Sequence, residues 1–192
     1  MRWGVSGNLG WHLPQSAFTI GAEGRIGYQV SNIFSAYAVI GATGGFGIGA
    51  NVSATSASVS VTALSYWYFG ALAEAMFGNL FYVAGGPVLA SGALAGVAAG
   101  GGTGGAQVTT VVAAGWKPGI DVRLGMGFGR PNPTTFRRGG FNLGLDALVL
   151  FHPDALVGRV QANSDGSAGA EVKTNELAVT VTPMLMLGYD SR

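Results

Sequence analysis

The stretch from residue 17 to residue 31, AFTIGAEGRIGYQVS, alternates between apolar and polar or small residues along its whole length. A period of two indicates a β-strand with one apolar and one polar face. At about 3.3 Å per residue this strand is roughly 45 to 50 Å long, whereas most strands of soluble sheets have about five or six residues. A tilted strand that crosses a bilayer alternates in this way over at least about 9 to 11 residues. The pattern therefore predicts a membrane-spanning strand whose polar face points into a barrel.

The composition favours the same class of fold. Only 10% of the residues are charged, against about 25% in an ordinary soluble domain, and the mean hydropathy is +0.39. The most apolar run, residues 80–100, is interrupted by glycines and a proline and makes a poor helix. Because lipid tolerates only structures whose backbone groups are all paired, an apolar chain without helical spans favours a closed barrel. We predict one all-β domain over residues 1–192, a transmembrane antiparallel up-and-down β-barrel (meander).

The same alternation places the other strands. We favour ten strands, with short turns at Asn32, Gly78–Asn79, Lys117–Gly119 and His152–Asp154. Loops are expected where small, polar or turn-forming residues concentrate, over residues 51–57, 91–105, 130–140 and 162–175. Eight strands are the alternative, in which residues 106–128 form one strand and residues 155–175 are all loop.

Charged residues in the predicted strands fall on the face opposite the apolar one. A charge at the bilayer midplane costs about 2 to 4 kcal/mol for Arg or Lys, so these groups are expected to line the inside of the barrel together with two tyrosines. The predicted lining residues are Glu23, Arg25, Tyr66, Tyr68, Glu74, Asp121, Arg123 and Asp146. We favour a mutually paired network over a selectivity filter, because burial of acids and bases without pairing is costly.

Repeated glycines on the polar faces allow two interpretations. The glycines at 41, 45 and 47 and at 125, 127 and 129 either leave room for a water path or receive tyrosine and arginine side chains from across the barrel. We favour packing, since side chains fill the interior of an eight-stranded barrel.

Aromatic residues cluster where the predicted strands end, as expected for girdles at the two membrane interfaces. The girdle beside the shorter turns and the termini is predicted to contain Trp3, Tyr28, Phe34, Phe77, Phe81, Trp116, Phe151 and Tyr189. The opposite girdle is predicted to contain Trp11, Phe18, Phe46, Phe128 and Phe141.

With these features the chain resembles the small bacterial outer-membrane β-barrels, a class that includes the eight-stranded outer-membrane protein A and X types and the ten-stranded omptins. The resemblance is architectural and covers essentially the whole chain. It implies a location in the outer membrane of the Gram-negative cell envelope, both termini in the periplasm, and insertion by the barrel-assembly machinery. Leu185, Leu187 and Tyr189 match the terminal alternating strand of this class, although three residues follow Tyr189. No signal-peptide pattern precedes the first strand, which opens at Trp3.

Catalytic and cofactor chemistry is not indicated. His12 and His152 are expected at opposite ends of the barrel, a membrane thickness apart, where they cannot share a site. The chain has no cysteine for thiolate metal sites, and its glycine run at 100–105 lacks the strand, helix and acidic residue of a dinucleotide motif. A net charge of +1 gives no electrostatic case for nucleic acid. We predict no enzymatic activity, no cofactor and no metal, with the lipid bilayer as the partner.

The function expected from the sequence is a narrow porin-like channel for small solutes. The alternative is a plugged barrel with a structural or adhesion-type role that its outer loops perform, and an outer-membrane barrel enzyme is the least supported class. A soluble glycine-rich β protein is the remaining fold, and it would have to bury Trp67, Phe69 and Ile120 against a partner sheet. Conductance separates the channel from the plugged barrel.

Overall fold

The computed structural model describes residues 1–102, 105–129, 139–152, 156–163, 167–174 and 179–191. These residues form ten antiparallel strands in one sheet. The strands are β1 (Arg2–His12), β2 (Ala17–Gln29), β3 (Phe34–Val52), β4 (Ser56–Phe77), β5 (Phe81–Gly102), β6 (Gly105–Gly127), β7 (Gly139–Phe151), β8 (Leu156–Asn163), β9 (Ala168–Thr174) and β10 (Val179–Ser191). Over the same residues there is no helix long and apolar enough to cross a membrane. The predicted all-β fold with ten antiparallel strands is confirmed.

Eight of the ten strands close a ring. β1 to β7 pair in chain order, and β10 pairs with both β7 and β1. From Val5, the path of paired residues leads from each strand to the next until it comes back to β1. The path arrives at the position of residue 15, so the shear of the ring is ten residues. Eight strands with this shear imply a strand tilt of about 40°, within the usual range for barrels. The ring is therefore a narrow barrel.

The remaining two strands lengthen one part of this wall. β7 pairs with the last part of β6, and β8 pairs antiparallel with the first part, so β8 continues in the direction of β7. In the same way, β9 and β10 lie end to end beside β8 and β7, because the β8–β9 pairing continues the β7–β10 pairing without a shift in register. The predicted reversal at His152–Asp154 is therefore wrong, although residues 153–155 themselves lie outside the described part of the chain.

The predicted turn at Lys117–Gly119 is also wrong, because residues 105–127 form one strand that pairs with β5 throughout. The N–H of Gly127 donates to Leu80 O of the β5 side at 2.8 Å, so the odd-numbered residues of β6 bond to β5. The even-numbered residues, including Pro118, face β7 and β8. Pairing on that side is interrupted between Val112 and Gly119. The missing N–H of Pro118 therefore falls where no ladder hydrogen bond is required.

Three predicted loops are shorter than expected. The β3–β4 turn occupies only residues 53–55, β5 continues to Gly102, and β8 and β9 occupy most of residues 162–175. These Gly-, Ala- and Ser-rich segments extend as strands because each has a paired neighbour along its length. Most of the predicted loop at 130–140 lies outside the described residues. The turns at Asn32 and at Gly78–Asn79 are present, the latter with positive φ at both residues.

The wall is uneven in height at the end opposite the termini. Here β3, β4, β5, β6, β8 and β9 continue past the ends of β1, β2 and β10. We call this extension the outer sheet. It consists of residues 47–52, 56–66, 92–102, 105–115, 156–163 and 168–174. The outer sheet is open, with β3 at one edge and β9 at the other.

Candidate functional site

The outside of the barrel carries an apolar belt between two aromatic bands. At the end that holds the termini, each strand of the ring contributes one exposed aromatic residue, in or next to the strand. They are Trp3, Tyr28, Phe34, Phe77, Phe81, Phe128, Phe141 and Tyr189. The opposite band contains Trp11, Phe18, Phe46, Trp67, Trp116 and Phe151. Eight to twelve residues along a strand separate the bands. With a tilt of about 40° the belt is about 20 to 30 Å high, close to the apolar band of transmembrane barrels.

Four aromatic residues lie at the end opposite to the predicted one. The sequence predicts Trp116 and Phe151 beside the termini, but both lie in the other band, where the Trp116 ring packs 5.0 Å from that of Trp67. Phe128 and Phe141 are predicted in the opposite band, but both lie in the band beside the termini. The cause is the false turn at residues 117–119. It makes Trp116 the end of a predicted strand, although Trp116 lies within β6, and it reverses the predicted direction of the strands that contain Phe128, Phe141 and Phe151.

The eight predicted lining residues all lie inside the barrel, and none is more than 5% exposed. Arg123 is at the centre of this group. Its guanidinium donates to both carboxylate oxygens of Glu23 on β2, at 2.5 and 2.7 Å, and to both oxygens of Asp121 on its own strand. Asp146 on β7 lies 3.6 Å from the same guanidinium. Arg123 therefore joins β2, β6 and β7 across the interior.

Two further members of the network are absent from the predicted set. Arg2 donates to Ser35 Oγ at 2.6 Å and to Glu74 Oε2 at 2.7 Å, and it lies 3.4 Å from Asp190. Its guanidinium also lies 4.4 Å from the centre of the Tyr37 ring. The alternation of β1 and β10, extended to the ends of those strands, places both Arg2 and Asp190 on the inner face. The sequence therefore contains the signal for both residues.

The charges inside the barrel are interleaved. Three arginines, Arg2, Arg25 and Arg123, share the interior with five carboxylates, Glu23, Glu74, Asp121, Asp146 and Asp190, all almost fully buried. Arg25 lies between Glu23 and Asp190, at 3.6 and 3.5 Å. This arrangement is an ion-pair network in which each arginine lies within 3.6 Å of at least two carboxylates.

Inward glycines receive tyrosine side chains from across the barrel. A Cβ atom at Gly41 would overlap the Tyr68 ring and lie 2.6 Å from its hydroxyl oxygen. Cβ atoms at Gly125 and Gly144 would lie 2.8 and 2.6 Å from the hydroxyl oxygen of Tyr82. Tyr68 in turn donates to Glu23 Oε2 at 3.0 Å, which couples the rings to the ion-pair network. At these glycines the interior is occupied by side chains.

A second polar layer lies towards the outer sheet, and it corrects the prediction that the two histidines are far apart. The rings of His12 and His152 both flank Tyr66, with centroids 5.9 and 6.4 Å from it. Each histidine bonds to a threonine hydroxyl of β10, at 2.8 and 2.7 Å. The histidines share one end because β6 is a single strand. In the described part of the chain, no three or more His, Cys, Asp or Glu side chains form a group that could hold a metal ion.

Apolar and cationic side chains complete the filling at this level. Leu64, Leu94, Leu148 and Leu150 belong to one buried cluster. Lys117 lies beside them, where its ammonium group donates to two backbone carbonyls at 3.0 and 2.8 Å and lies 5.3 Å from the centre of the Tyr66 ring. The interior is thus packed in successive layers from the termini to the outer sheet.

Comparison with known proteins identifies no family. No protein-family model matches the chain, and no curated protein sequence matches it significantly. Among solved structures, the chain is similar to a major outer membrane protein from Thermus thermophilus, with 11% identity, 98% of each chain covered and a TM-score of 0.46. Similarity at this level says nothing about function.

Proposed function

We propose that this protein is an integral outer-membrane β-barrel with a closed interior, and that the outer sheet performs a structural or surface-binding role. The exposed apolar belt, about 25 Å high and bounded by aromatic bands, supports insertion in a bilayer. The ring of paired strands supports it as well, because a closed barrel has no open strand edge at membrane depth.

The observation that carries the closed interior is the position of Arg123. Its side chain is fully buried at the centre of the barrel and holds carboxylates from two other strands. Tyr68 and Tyr82 fill the space beside the inward glycines that a water path would need. The plugged barrel is therefore better supported than the porin-like channel predicted from the sequence, and no catalytic role or nucleic-acid partner is part of the proposal.

We further propose that the termini and the short turns face the periplasm, with the outer sheet outside the cell. The terminal end has the compact turns at residues 30–33 and 78–80, whereas the other end has hairpins that extend well beyond the aromatic band. Insertion by the barrel-assembly machinery is the expected route to this topology.

Single-channel conductance in a planar bilayer tests the closed interior. The wild-type protein, shown to be folded and inserted, is expected to pass no steady current. Arg123→Ala removes the central brace and is expected to give intermittent openings. Arg159→Ala, on the partly exposed strand β8, is the matched control and is expected to stay silent. A steady wild-type current whose ion preference changes in Arg123→Ala would instead establish the channel.

A further inference from the structure

The outer sheet has an unpaired edge along the last residues of β3. β2 pairs with β3 only as far as Phe46, while β4 pairs with it as far as Val52. Residues 48–52 therefore have a strand on one side and, among the described residues, none on the other. The side chains of Ile48 and Val52 are 74% and 79% exposed. Such an edge is a ready template for another strand.

The direction of the backbone groups follows from the hydrogen bonds at the two ends of β3. The N–H of Ser53 donates to Ser56 O at 2.8 Å, and Met76 N–H donates to Ile33 O at 2.8 Å. Odd-numbered residues of β3 thus bond to β4, and even-numbered ones face the other way. The free N–H and C=O groups on the edge therefore belong to Ile48, Ala50 and Val52.

This edge contains none of the features that normally block strand addition. Residues 47–52, GIGANV, contain no proline and no charged residue. The opposite edge, β9, has the exposed pair Glu171 and Lys173, whose charged atoms are 3.2 Å apart. Of the two edges, β3 is therefore the more receptive.

The space beside the β3 edge suits a strand. In the ring, β2 and β1 separate β3 from β10, but both end below the outer sheet, so a gap of two strand positions separates its two edges. The gap opens on a cavity of about 320 Å³ whose floor is the β1–β2 turn at residues 14–16. The β3 edge lines this cavity at residues 49–51, and Ser58, Ser60 and Thr62 add hydroxyl groups.

A second copy in the same membrane does not fit this edge. Strands on the facing walls of two neighbouring barrels tilt in opposite directions, so with a tilt of about 40° they cross at about 80°. Neighbouring strands of a sheet differ by only about 20 to 25°. The occupant must therefore be free to orient itself, as an extended segment of a separate polypeptide is.

We propose that the β3 edge of the outer sheet binds an extended segment of another polypeptide by strand addition, antiparallel to β3. Small or polar side chains of the segment face the cavity, and aliphatic side chains face outwards beside Ile48 and Val52. Backbone hydrogen bonds to Ile48, Ala50 and Val52 supply the pairing, as in other sheets that bind peptides by adding a strand. The inference rests on the proposed function, which places the outer sheet clear of the bilayer.

The probe is a fluorescent synthetic peptide with the sequence of residues 56–62, SASVSVT, which has the required alternation and already pairs with the other edge of β3. Its binding is measured by anisotropy with the protein in lipid nanodiscs. Amide hydrogen exchange at residues 48, 50 and 52 is followed in the same samples. A scrambled peptide that lacks the alternation is the peptide control.

The variant pair Ala50→Pro and Ala50→Thr isolates the edge hydrogen bond. Proline removes the free N–H but leaves the β3–β4 pairing intact, whereas threonine keeps the N–H. We expect the peptide to slow exchange at the three amides, and Ala50→Pro to weaken binding about tenfold, the effect of about 1.4 kcal/mol. Ala50→Thr should bind like the wild type.

Three results overturn the inference: no binding of the peptide, binding without protection of these amides, or equal binding by the two variants. Labelling of Val52→Cys with a water-soluble maleimide in the same nanodiscs separates this failure from failure of the proposed function. If Val52→Cys is labelled and the peptide does not bind, strand addition is wrong. If Val52→Cys is shielded by lipid, the proposed position of the outer sheet is wrong and the inference fails with it.

Discussion

Replacement of Arg123 by methionine is expected to destabilise the barrel more than any other single loss of charge in the interior. The substitution retains much of the apolar length of the side chain and removes the guanidinium that bonds Glu23 and Asp121 and lies 3.6 Å from Asp146. Three buried carboxylates then lose a common cation. Each unit-charge pair at about 4 Å is worth about 4 kcal/mol at an effective dielectric constant of 20.

Part of this loss is offset, because the arginine no longer has to be removed from water. Breaking a buried ion pair by removal of one partner costs about 3 to 5 kcal/mol, and we expect a loss of this size for Arg123→Met. The free energy of unfolding is measured by urea titration in phospholipid vesicles, with fluorescence of the four tryptophans as the signal. Arg159→Met, on the partly exposed β8, is the matched control and should change stability by about 0 to 1 kcal/mol.

A double-mutant cycle tests the physical cause. Glu23→Gln removes one of the carboxylate charges that Arg123→Met leaves without a cation. The double variant should therefore lose less free energy of unfolding than the sum of the losses of the two single variants. The reasoning is refuted if Arg123→Met costs less than about 1 kcal/mol, if it matches Arg159→Met, or if the cycle shows no coupling.

Other predictions concern the packing, the membrane level and the strand prolines. Gly41→Ala should lower the free energy of unfolding by about 1 to 3 kcal/mol, because its Cβ overlaps a tyrosine ring. Gly24→Ala, on the open outer face, should have little effect, and equal losses in the two variants would contradict the packing. Val52→Cys in proteoliposomes should react with a water-soluble maleimide and Val122→Cys should not, and equal labelling would contradict the height of the apolar belt. Pro118→Ala should change the unfolding free energy by less than about 1 kcal/mol, since the restored N–H finds no ladder partner; a large gain would show that a hydrogen bond had been missing.

The sequence predicts which face of each strand points inwards, because parity along a strand is a local property. Glu23, Arg123 and Asp146 lie on three different strands, and each is on the polar face of its own alternation. The same parity, extended by one or two residues, includes Arg2 and Asp190. Which acid meets which base depends on the register between strands, and that information is not local.

The direction of a strand is harder to predict from the sequence than its inward face, because one false turn reverses the predicted direction of the strands after it. Lys117–Pro118–Gly119 has the composition of a turn, yet it lies within β6. The predicted direction is therefore inverted from residue 120 to residue 152, which puts Phe128, Phe141, Phe151 and His152 at the wrong ends. Trp116 is misplaced because the false turn makes it a strand end. A sequence does not show whether a proline's missing N–H faces a neighbour strand or a gap in the pairing.

The other two strand prolines follow the same rule. Pairing of β4 with β5 skips the position of Pro87, and pairing of β1 with β10 is interrupted beside Pro183. Each proline keeps a regular neighbour on its other side, at Ile120 and Ala147 respectively. The outer sheet is not predicted because its Gly- and Ser-rich segments have a weak strand preference of their own. They form strands because they pair with neighbouring strands, which the local sequence does not show.

The pairing of β1 with β10 has a consequence for the order of assembly. These strands lie at opposite ends of the chain, and Arg2 and Asp190, 188 positions apart, meet across the seam between them. Until β10 docks, Arg2 lacks one of its carboxylate partners, and the charged inner face of the sheet remains accessible to water. Closure of the seam and expulsion of water from the interior are therefore one late and cooperative event. Before that step the chain would be a curved, hydrated sheet with two open edges, the form most prone to pair with other chains.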